Sequence, residues 1–492
     1  MNHRKSIKKF SFGPYRFPLF RCCRTIICSV LFVLVLIPII EAQERYTVPW
    51  DKVANETLEH FQALIRIDTS NPPGNETKAA EYLKGVLERE GISAKLLALD
   101  PKRANLVARI RGNGFKRPIL VMGHTDVVGV QREKWSVDPF AAVRKDGYVW
   151  GRGTLDDKQD VTAGLMLMLL LKRQGVKLDR DVILLCEAGE ESFDKEGVRH
   201  VIDKHWEEID AEFALAEGGG GVIRDGKAQS VNIATTEKYR NLVQLVAKGR
   251  SEHASVPTPD SAVLKIANAV IKIGAWVPPM QLSETTRTYF EKLAEISPPE
   301  AAARYRAILD PAKQTEAERY FARNEPRHNS LIRTTLAPTI LKAGFRSNVI
   351  PSEAEAIIDI RALPEEDMVQ FHKRLEEVIR DPGIEIKLVS GVGPDKAPAS
   401  KLDTKMWAAL EKTQKRIYPE ATLLPMMLTG FSDLSPIRSK GVQAYGIGPL
   451  MLEKDRLEGV GAHADNERIL EKSLHDYVQF VWYAVLEIAG TK

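Results

Sequence analysis

Cysteine is scarce in this chain of 492 residues: it has four, and Cys22, Cys23 and Cys28 all lie within the first 42 residues. Cys186 is the only cysteine of the remainder, so no disulfide can form within it once that first segment is removed. Its stability must therefore come from a hydrophobic core. A fixed-period repeat is also absent, which excludes a repeat architecture.

An excess of charge is absent as well once the N-terminal segment is considered separately. Residues 1–42 contain seven Lys and Arg and one acid, Glu41, for a net charge of +6, and the rest of the chain carries −2. A nearly neutral body lacks the basic surface that nucleic acid requires, so we expect no nucleic-acid partner. Hydrophobic residues make up 44% of the chain, as is usual for a globular protein, and its length favours two domains.

The N-terminal segment, residues 1–42, has the order of an export signal. A basic stretch precedes an apolar run from Ile26 to Ile40 and then Glu41-Ala42-Gln43. A spanning helix needs about 20 apolar residues, so this short run favours a cleaved signal peptide over an uncleaved signal anchor. In either case we expect a periplasmic or secreted body, attached to a membrane only if this segment is retained.

Short apolar runs alternate with helical patterns beyond residue 118. Ile119–Met122, Val182–Leu185 and Phe213–Ala216 are typical of buried strands, and Val161–Leu171 is typical of a buried helix. Alternation at this spacing predicts an α/β fold, in which a mostly parallel sheet is covered by helices on both faces.

A second unit interrupts this pattern near residue 240. It contains the amphipathic helical pattern Ser261–Ile273 and a polar, helical stretch at 275–345. We therefore expect the larger domain to comprise residues 46–240 and 363–492, with a smaller α+β domain inserted at 241–362.

Acidic and histidine side chains occur where the predicted strands end. His124 and Asp126 follow the first strand, Glu190 and Glu191 the second, and Glu217 the third. Open α/β sheets place their ligand sites just outside these strand ends. Imidazoles combined with carboxylates suit Zn²⁺, and a cation would offset the cost of grouping so many acids.

Each of these residues also has a simpler interpretation. Asp156 and Asp157 could cap the helix that follows them, since aspartate is favoured at a helix N-terminus. Adjacent glutamates such as Glu190 and Glu191 usually lie on solvated faces, and a single histidine such as His124 is usually structural. Only the combination favours a metal site.

Four ordered motifs together resemble one family of zinc peptidases. They are Gly123-His124-Thr125-Asp126-Val127-Val128, Gly151-Arg152-Gly153-Thr154-Leu155-Asp156-Asp157-Lys158, Gly189-Glu190-Glu191 and Gly461-Ala462-His463. This family includes aminoacylase, acetylornithine deacetylase, succinyl-diaminopimelate desuccinylase and carboxypeptidase S. The similarity extends from about Leu58 to the C-terminus. Gly129 and Gln159 depart from the family pattern at positions that supply no ligand.

The resemblance implies two Zn²⁺ per chain, for which Co²⁺ or Mn²⁺ could substitute. Asp156 would bridge the two ions, His124 and Glu217 would complete one of them, and Glu191 and His463 the other. Glu190 would be the general base that takes a proton from the attacking water and delivers it to the leaving amine.

Further roles follow from the same resemblance. Asp126 would fix the tautomer of the imidazole two residues before it. His253, in Gly249-Arg250-Ser251-Glu252-His253-Ala254-Ser255, would stabilise the oxyanion, in some relatives from a partner subunit. Asn348, Arg361 and Gly430 would contact the substrate, and Arg361 could clamp a carboxylate.

The resemblance thus implies hydrolysis of an amide bond in a small peptide or an N-acyl amino acid that has a free carboxylate, as carboxypeptidase S does. The insert would serve as a lid and dimerisation domain, with a homodimer as the expected assembly. Two alternatives stay open: a small-metabolite deacylase of the acetylornithine deacetylase or desuccinylase type, and an inactive binding protein with the same fold.

Overall fold

The computed structural model describes residues 46–192, 195–389 and 396–491. The N-terminal segment, expected to be an export signal, lies outside these residues. The helices are Trp50–Arg66, Thr77–Arg89, Lys158–Arg173, Val198–Lys204, Trp206–Ile209, Ala262–Ala275, Glu284–Glu295, Pro299–Ala307, Gln314–Asn324, Pro326–Leu331, Met368–Ile379, Lys405–Ile417, Leu434–Ser439, Glu453–Leu457 and Glu471–Ala489, with a 3-10 turn at Arg132–Lys134. Across the described ranges, no helix is both long and apolar enough to cross a membrane.

The strands form one large sheet, a separate four-stranded sheet and three small ones in the described part of the chain. They are Ser70–Asn71, Ala94–Leu97, Asn105–Ile110, Ile119–His124, Val127–Val128, Val143–Lys145, Tyr148–Trp150, Val182–Glu187, Phe213–Ala216, Gly220–Arg224, Lys227–Glu237, Tyr239–Lys248, Glu252–His253, Thr335–Ala343, Val349–Ile350, Glu353–Ala362, Ile384–Val389, Thr422–Leu428, Gln443–Gly446, Leu450–Leu452 and Arg468–Leu470.

The centre of the large sheet is parallel. Val182–Glu187, Ile119–His124, Phe213–Ala216 and Gln443–Gly446 lie side by side in this order, and each pairs with its neighbour in parallel register. Antiparallel strands flank this centre, with Asn105–Ile110 on one side. The carboxyl ends of the central strands therefore meet at one edge, where the sequence predicts a ligand site.

Helices cover both faces of this sheet, as the continuous apolar strands predict. In Val182–Glu187, the side chains of Val182, Leu184 and Cys186 join one core, and Ile183 and Leu185 join the core on the opposite face. Helix Lys158–Arg173 is buried from Lys158 to Leu171. The α/β prediction is confirmed, with two cores on either side of one sheet.

The insert has its own sheet and core. Its strand order is Thr335–Ala343, Glu353–Ala362, Tyr239–Lys248, Ile384–Val389, all antiparallel. Helices Ala262–Ala275 and Met368–Ile379 contribute side chains to the core on one face of it. The sequence analysis places the end of the insert at residue 362. Strand Ile384–Val389 nevertheless pairs with Tyr239–Lys248, so the sheet of the insert includes a strand after that boundary.

Residues 275–345 do not form one helical stretch. Thr335–Ala343 is a strand of the insert, and only the part before it is helical. The four helices between residues 284 and 331, here called the helical block, form a separate aromatic core. Helix Glu284–Glu295 packs against strand Thr422–Leu428 of the large sheet. The helical block therefore belongs beside the candidate site and not with the insert's sheet.

Candidate metal centre

Three neighbouring strands of the large sheet carry the predicted ligands to one edge. His124 is the last residue of its strand, Glu217 follows Ala216 directly, and Glu190 and Glu191 follow Val182–Glu187 after a short turn. The turn begins at Gly189, which has a positive φ of 73° that disfavours a side chain. Polar residues follow buried strands here because the chain leaves the core at this point.

Asp156 lies between the two predicted histidine ligands. Its Oδ1 is 2.9 Å from His124 Nε2, and its Oδ2 is 3.1 Å from His463 Nε2. The same atom of His463 is 2.9 Å from Glu191 Oε2. One oxygen of Asp156 thus faces each imidazole, which is the arrangement that a carboxylate bridging two cations requires.

Glu217 and Glu190 lie on the His124 side of this arrangement. The potential ligand atoms of His124, Glu190 and Glu217 fall within 4.8 Å of one another, as do those of His124, Asp156 and Glu191. The carboxylate of Glu190 is 3.9 Å from His124 Nε2. All five predicted metal ligands and the predicted base therefore converge, although Asp156 and His463 are more than 300 residues apart in sequence.

Asp126 orients both the histidine and the glutamates. His124 Nδ1 lies 3.0 Å from the Asp126 carbonyl oxygen and 3.4 Å from its carboxylate, so Nδ1 carries the proton and Nε2 is left to bind a metal. The Asp126 carboxylate also accepts hydrogen bonds from the backbone amides of Glu190 and Glu191 and from Asn71 Nδ2. Asp126 therefore links His124 to the segment that carries Glu190 and Glu191.

The electrostatics show a concentration of negative charge that calls for cations. Burial and the charge of Glu217 raise the pKa of Glu190 well above its usual value, and burial and Asp156 do the same to Glu217. Hydrogen bonds to Asp156 and Glu191 raise the pKa of His463 to about 10. Without metal ions, these carboxylates and the imidazole bind protons, which offset the clustered negative charge. Divalent cations would offset the same charge when bound.

The donor set fits two divalent metal ions. Two imidazole nitrogens and several carboxylate oxygens are the ligands that zinc uses in catalytic sites. Glu191 Oε1 is buried without a hydrogen-bond partner among the described residues, as expected of an oxygen reserved for a cation. When bound, such ions would polarise the substrate carbonyl and make a water nucleophilic at neutral pH.

A buried ion pair that the sequence analysis missed holds the His463 loop against the Asp156 loop. Arg152 Nη1 donates to Glu467 Oε2 over 2.5 Å, and Arg152 Nη2 donates to the carbonyl oxygen of His463 over 3.2 Å. Glu467 Oε1 also accepts from the amide of Leu155 over 2.6 Å. His463 itself has a positive φ of 64°, so this loop needs such restraint. The only sequence feature that pointed to a role for Arg152 was its position between Gly151 and Gly153 in the motif that carries Asp156.

The predicted substrate contacts are only partly brought together. Gly430 borders the site, and a Cβ there would meet no atom within 4 Å. Arg361 hydrogen-bonds Asp359 over 2.8 Å, and its guanidinium lies 5.9 Å from the ring centre of Phe431, next to Gly430. Asn348 is exposed, and its carbonyl oxygen accepts from the amide of Ala254.

His253 lies on the insert, in the small sheet formed by Glu252–His253 and Val349–Ile350. It is exposed, and its Nδ1 lies 2.6 Å from Ser255 Oγ. The metal-ligand groups found among the described residues do not include it.

A cavity of about 780 Å³ opens beside the predicted ligands, which we call the site cavity. Asp156 and Glu217 lie in its wall together with glycines 218, 219 and 221. Apolar side chains from five parts of the chain complete much of the lining: Leu155, Val222, Leu331, Met426, Met427, Leu428, Ile447, Met451 and Val460. His328, which has no supporting motif in the sequence, also lines this cavity from the helical block.

Comparison with known proteins agrees with this arrangement. Residues 120–487 match the family described as peptidase family M20/M25/M40. The chain is 26% identical over 447 residues to an N-fatty-acyl-amino acid synthase/hydrolase of Xenopus tropicalis, covering 87% of this chain and 85% of that protein. It is 29% identical over 379 residues to a probable carboxypeptidase S-like protein of Dictyostelium discoideum, covering 75% and 71% respectively.

Solved structures share the fold. An M20 family metallo-carboxypeptidase from Sulfolobus solfataricus superposes with a TM-score of 0.67 at 21% identity, over 87% of this chain and 98% of that one. Human carnosine dipeptidase 1 gives a TM-score of 0.62 at 16% identity, over 90% and 99%. With a family match that covers most of its length and a converged histidine and carboxylate site, this chain is a hydrolase of the metallopeptidase and amidohydrolase type and belongs to peptidase family M20/M25/M40.

Proposed function

We propose that this protein hydrolyses the amide bond of N-acyl amino acids, or of small peptides with an apolar N-terminal side, using two zinc ions. Asp156 would bridge the ions, with His124 and Glu217 on one and Glu191 and His463 on the other. The free carboxylate of the substrate would lie on the amine side of the scissile bond. An acyl chain would occupy the site cavity.

The observation that carries this proposal is the apolar lining of the site cavity directly beside Asp156 and Glu217. A cavity of about 780 Å³ holds a molecule far larger than an acetyl group. Burial of apolar surface contributes about 0.8 kcal/mol for each methylene, so a long acyl chain would gain affinity here that a short one would not. The similarity to an N-fatty-acyl-amino acid synthase/hydrolase supports the same substrate class.

The proton transfer would fall to Glu190. Its carboxylate is buried beside His124, its backbone amide is fixed by Asp126, and its pKa is raised by burial. A carboxylate whose pKa is raised by burial can both accept the proton of the attacking water and return it to the leaving amine. His253 would then stabilise the oxyanion that develops on the substrate carbonyl.

The test is a substrate series on the purified chain with added Zn²⁺. Phenylalanine would be offered with acetyl, octanoyl and dodecanoyl groups, alongside dipeptides, and the release of free amino acid would be measured before and after removal of metal with a chelator. We expect kcat/KM to rise with chain length, and activity to be lost on chelation and restored by zinc. A preference for the acetyl substrate would contradict the proposal and favour the small-metabolite deacylase.

The site argues against an inactive binding protein with this fold. Such a protein would be expected to have lost one or more metal ligands or the base. In this chain His124, Asp156, Glu191, Glu217 and His463 are all retained, and Glu190 lies among them.

We also propose that the protein acts outside the cytoplasm, directed there by the N-terminal segment. The supporting features are its seven basic residues and the apolar run from Ile26 to Ile40. Fractionation of cells that express the full chain, compared with a chain lacking residues 1–42, tests this. Equal amounts of both chains in the cytoplasmic fraction would contradict it.

A homodimer through the insert is the assembly we propose. Strand Thr335–Ala343 is the outer strand of its sheet, and its exposed surface includes Ile340, Leu341 and the nearby Phe345. Leu264 and Ile271 are exposed on helix Ala262–Ala275 of the same domain. An exposed apolar edge strand favours pairing with a second copy. A Leu341→Lys variant that remains dimeric in sedimentation would contradict this assembly.

A further inference from the structure

The site cavity is not apolar throughout. The helical block contributes Arg327 to its wall, and helix Glu453–Leu457 contributes Arg456. Both arginines are exposed as well as lining the cavity. In the described part of the chain, no carboxylate lies within ion-pair distance of either group.

Both arginines lie near Tyr289, which lines the same cavity. Burial raises the pKa of Tyr289 to about 12, whereas the positive charges of Arg327 and Arg456 act in the opposite direction. Arg327, Arg456 and Tyr289 thus all line one cavity. We refer to Arg327 and Arg456 together as the arginine pair.

The acids closest to Arg327 in sequence are occupied elsewhere. Glu325 Oε2 accepts from His328 Nδ1 over 2.5 Å, and Glu325 Oε1 lies 4.0 Å from Arg304. Burial lowers the pKa of His328, so its imidazole is neutral at neutral pH. Its Nε2 can then accept a hydrogen bond from the Tyr289 hydroxyl, which lies 3.2 Å away.

The acids closest to Arg456 have other partners too. Glu453 forms two hydrogen bonds with Arg224, of 2.6 and 2.7 Å. Asp455 and Glu458 both accept from Arg468, over 2.5 and 2.8 Å. Among the described residues, neither arginine therefore forms an ion pair with these sequence neighbours, and both remain available to an anion in the cavity that they line.

Aromatic side chains pack around the part of the wall that carries Arg327. The ring of His328 lies between 5.1 and 5.9 Å from the ring centres of Tyr289, Phe290, Tyr305 and Phe321. The hydrogen bonds to Glu325 and Tyr289 fix its orientation within these rings. Arg327 directly precedes His328, so its backbone is held in place while its side chain stays free to approach a ligand.

We propose that the arginine pair, Arg327 and Arg456, binds a carboxylate of the substrate in the site cavity and thereby selects acidic over uncharged amides. This inference rests on the proposed function and adds a specificity determinant to it. A guanidinium is well suited to this role because it donates two parallel hydrogen bonds to a carboxylate. The carboxylate could belong to the amino acid or to the far end of a dicarboxylic acyl chain.

Binding to the full-length, zinc-loaded Glu190→Gln protein tests the inference without turnover. Three probes would be titrated by calorimetry: dodecanoyl-phenylalanine, its carboxamide, and the carboxamide with a second carboxylate at the far end of the acyl chain. We expect at least one of the two acidic probes to bind more tightly than the uncharged carboxamide. The probe that gains affinity identifies the source of the carboxylate.

Substitution of the arginines completes the test. We expect Arg327→Gln or Arg456→Gln to reduce the affinity for the acidic probe by about tenfold, the loss of one charge-assisted contact, and to leave the carboxamide unaffected. Arg323→Gln, an exposed arginine of the same helical block outside the cavity lining, is the matched control.

The outcomes separate this inference from the proposed function. If all three probes bind equally, or if the preference for acid survives in both arginine variants, the arginine pair has no such role although the proposed function stands. A preference removed by Arg361→Gln alone would assign the carboxylate to the insert and also refute the inference. If no probe binds, both the proposed function and this inference are wrong.

Discussion

Replacing Glu467 by glutamine should separate the restraint of the His463 loop from the metal ligands themselves. Glu467 is completely buried, and the side chain of Arg152 is 3% exposed. Glutamine has nearly the same shape but no charge, so Arg152 would remain as a buried cation without its counter-ion. Breaking a buried pair in this way costs about 3–5 kcal/mol. We expect a loss of stability of that order in urea unfolding of the metal-free protein.

The same substitution should weaken one metal more than the other. Arg152 holds the carbonyl oxygen of His463, and His463 lies 2.9 Å from Glu191 and 3.1 Å from Asp156. Loss of a group that orients a ligand typically reduces metal affinity by about 10–100-fold. His124 does not depend on this loop, because its own hydrogen bond is to Asp126. Competition with a chelator should therefore reveal one weakened and one unchanged zinc equivalent.

The matched control is Glu471→Gln. Glu471 pairs with Arg144 through two hydrogen bonds of 2.8 Å and joins the same two parts of the chain. Its partner is 49% exposed, however, and such surface pairs contribute only about 0.2–1 kcal/mol. If both variants lose the same stability, or if Glu467→Gln binds both zinc ions as the wild type does, the reasoning about the buried pair is refuted.

Four other outcomes can be measured on the same protein. Glu190→Gln should keep both zinc ions while kcat falls by about 10²–10⁴-fold, the usual contribution of a general base; normal turnover would remove Glu190 from the mechanism. If His253 acts across a dimer, a mixture of His253→Ala and Glu190→Gln chains should regain activity that neither has alone, because one site of the mixed dimer would have both residues intact. No recovery after subunit exchange would mean that His253 acts within its own chain. Met426→Trp should shorten the longest acyl chain accepted, as judged by KM across the substrate series, and an unchanged preference would exclude Met426 from the acyl site. Burial raises the pKa of Cys186, the only cysteine after residue 42, well above its usual value. A thiol reagent should therefore not label the folded chain that lacks residues 1–42, even near pH 9. Rapid labelling at that pH would contradict the burial of Cys186.

The centre of the fold could be predicted because its sequence pattern depends on burial alone. A strand covered on both faces must be apolar at every position, and Ile119–Met122 and Val182–Leu185 have that pattern. Strand Ile384–Val389 alternates apolar and charged residues from Ile384 to Leu388, which is the pattern of a half-covered strand, so it could have been predicted and was missed. Thr335–Ala343 was taken as part of a helical stretch, since an outer strand exposed to solvent lacks the alternation that marks a half-buried one.

The convergence of the five predicted metal ligands could be anticipated because four of them lie in ordered motifs and Glu217 directly follows a buried strand. Arg152 and Glu467 were not predicted, since an ion pair between residues 315 positions apart leaves no periodic or local pattern. His328 also lacks a supporting motif in the sequence. Glu325 is only three residues away, but Tyr289 belongs to another helix, and only folding brings it against His328 in the cavity wall.

The chemistry and the selectivity of this site are carried by different parts of the chain. The ligands come from strand ends and loops of the large sheet, where each side chain is fixed by buried neighbours such as Asp126. The outer wall of the site cavity comes from the helical block, whose aromatic core is separate from the two cores of the sheet. Because these cores do not share side chains, a substitution at Arg327 or Tyr289 can alter substrate binding without moving a metal ligand. Changes in the helical block should therefore appear in KM and in substrate preference, whereas changes at Asp126 or Glu467 should appear in metal affinity.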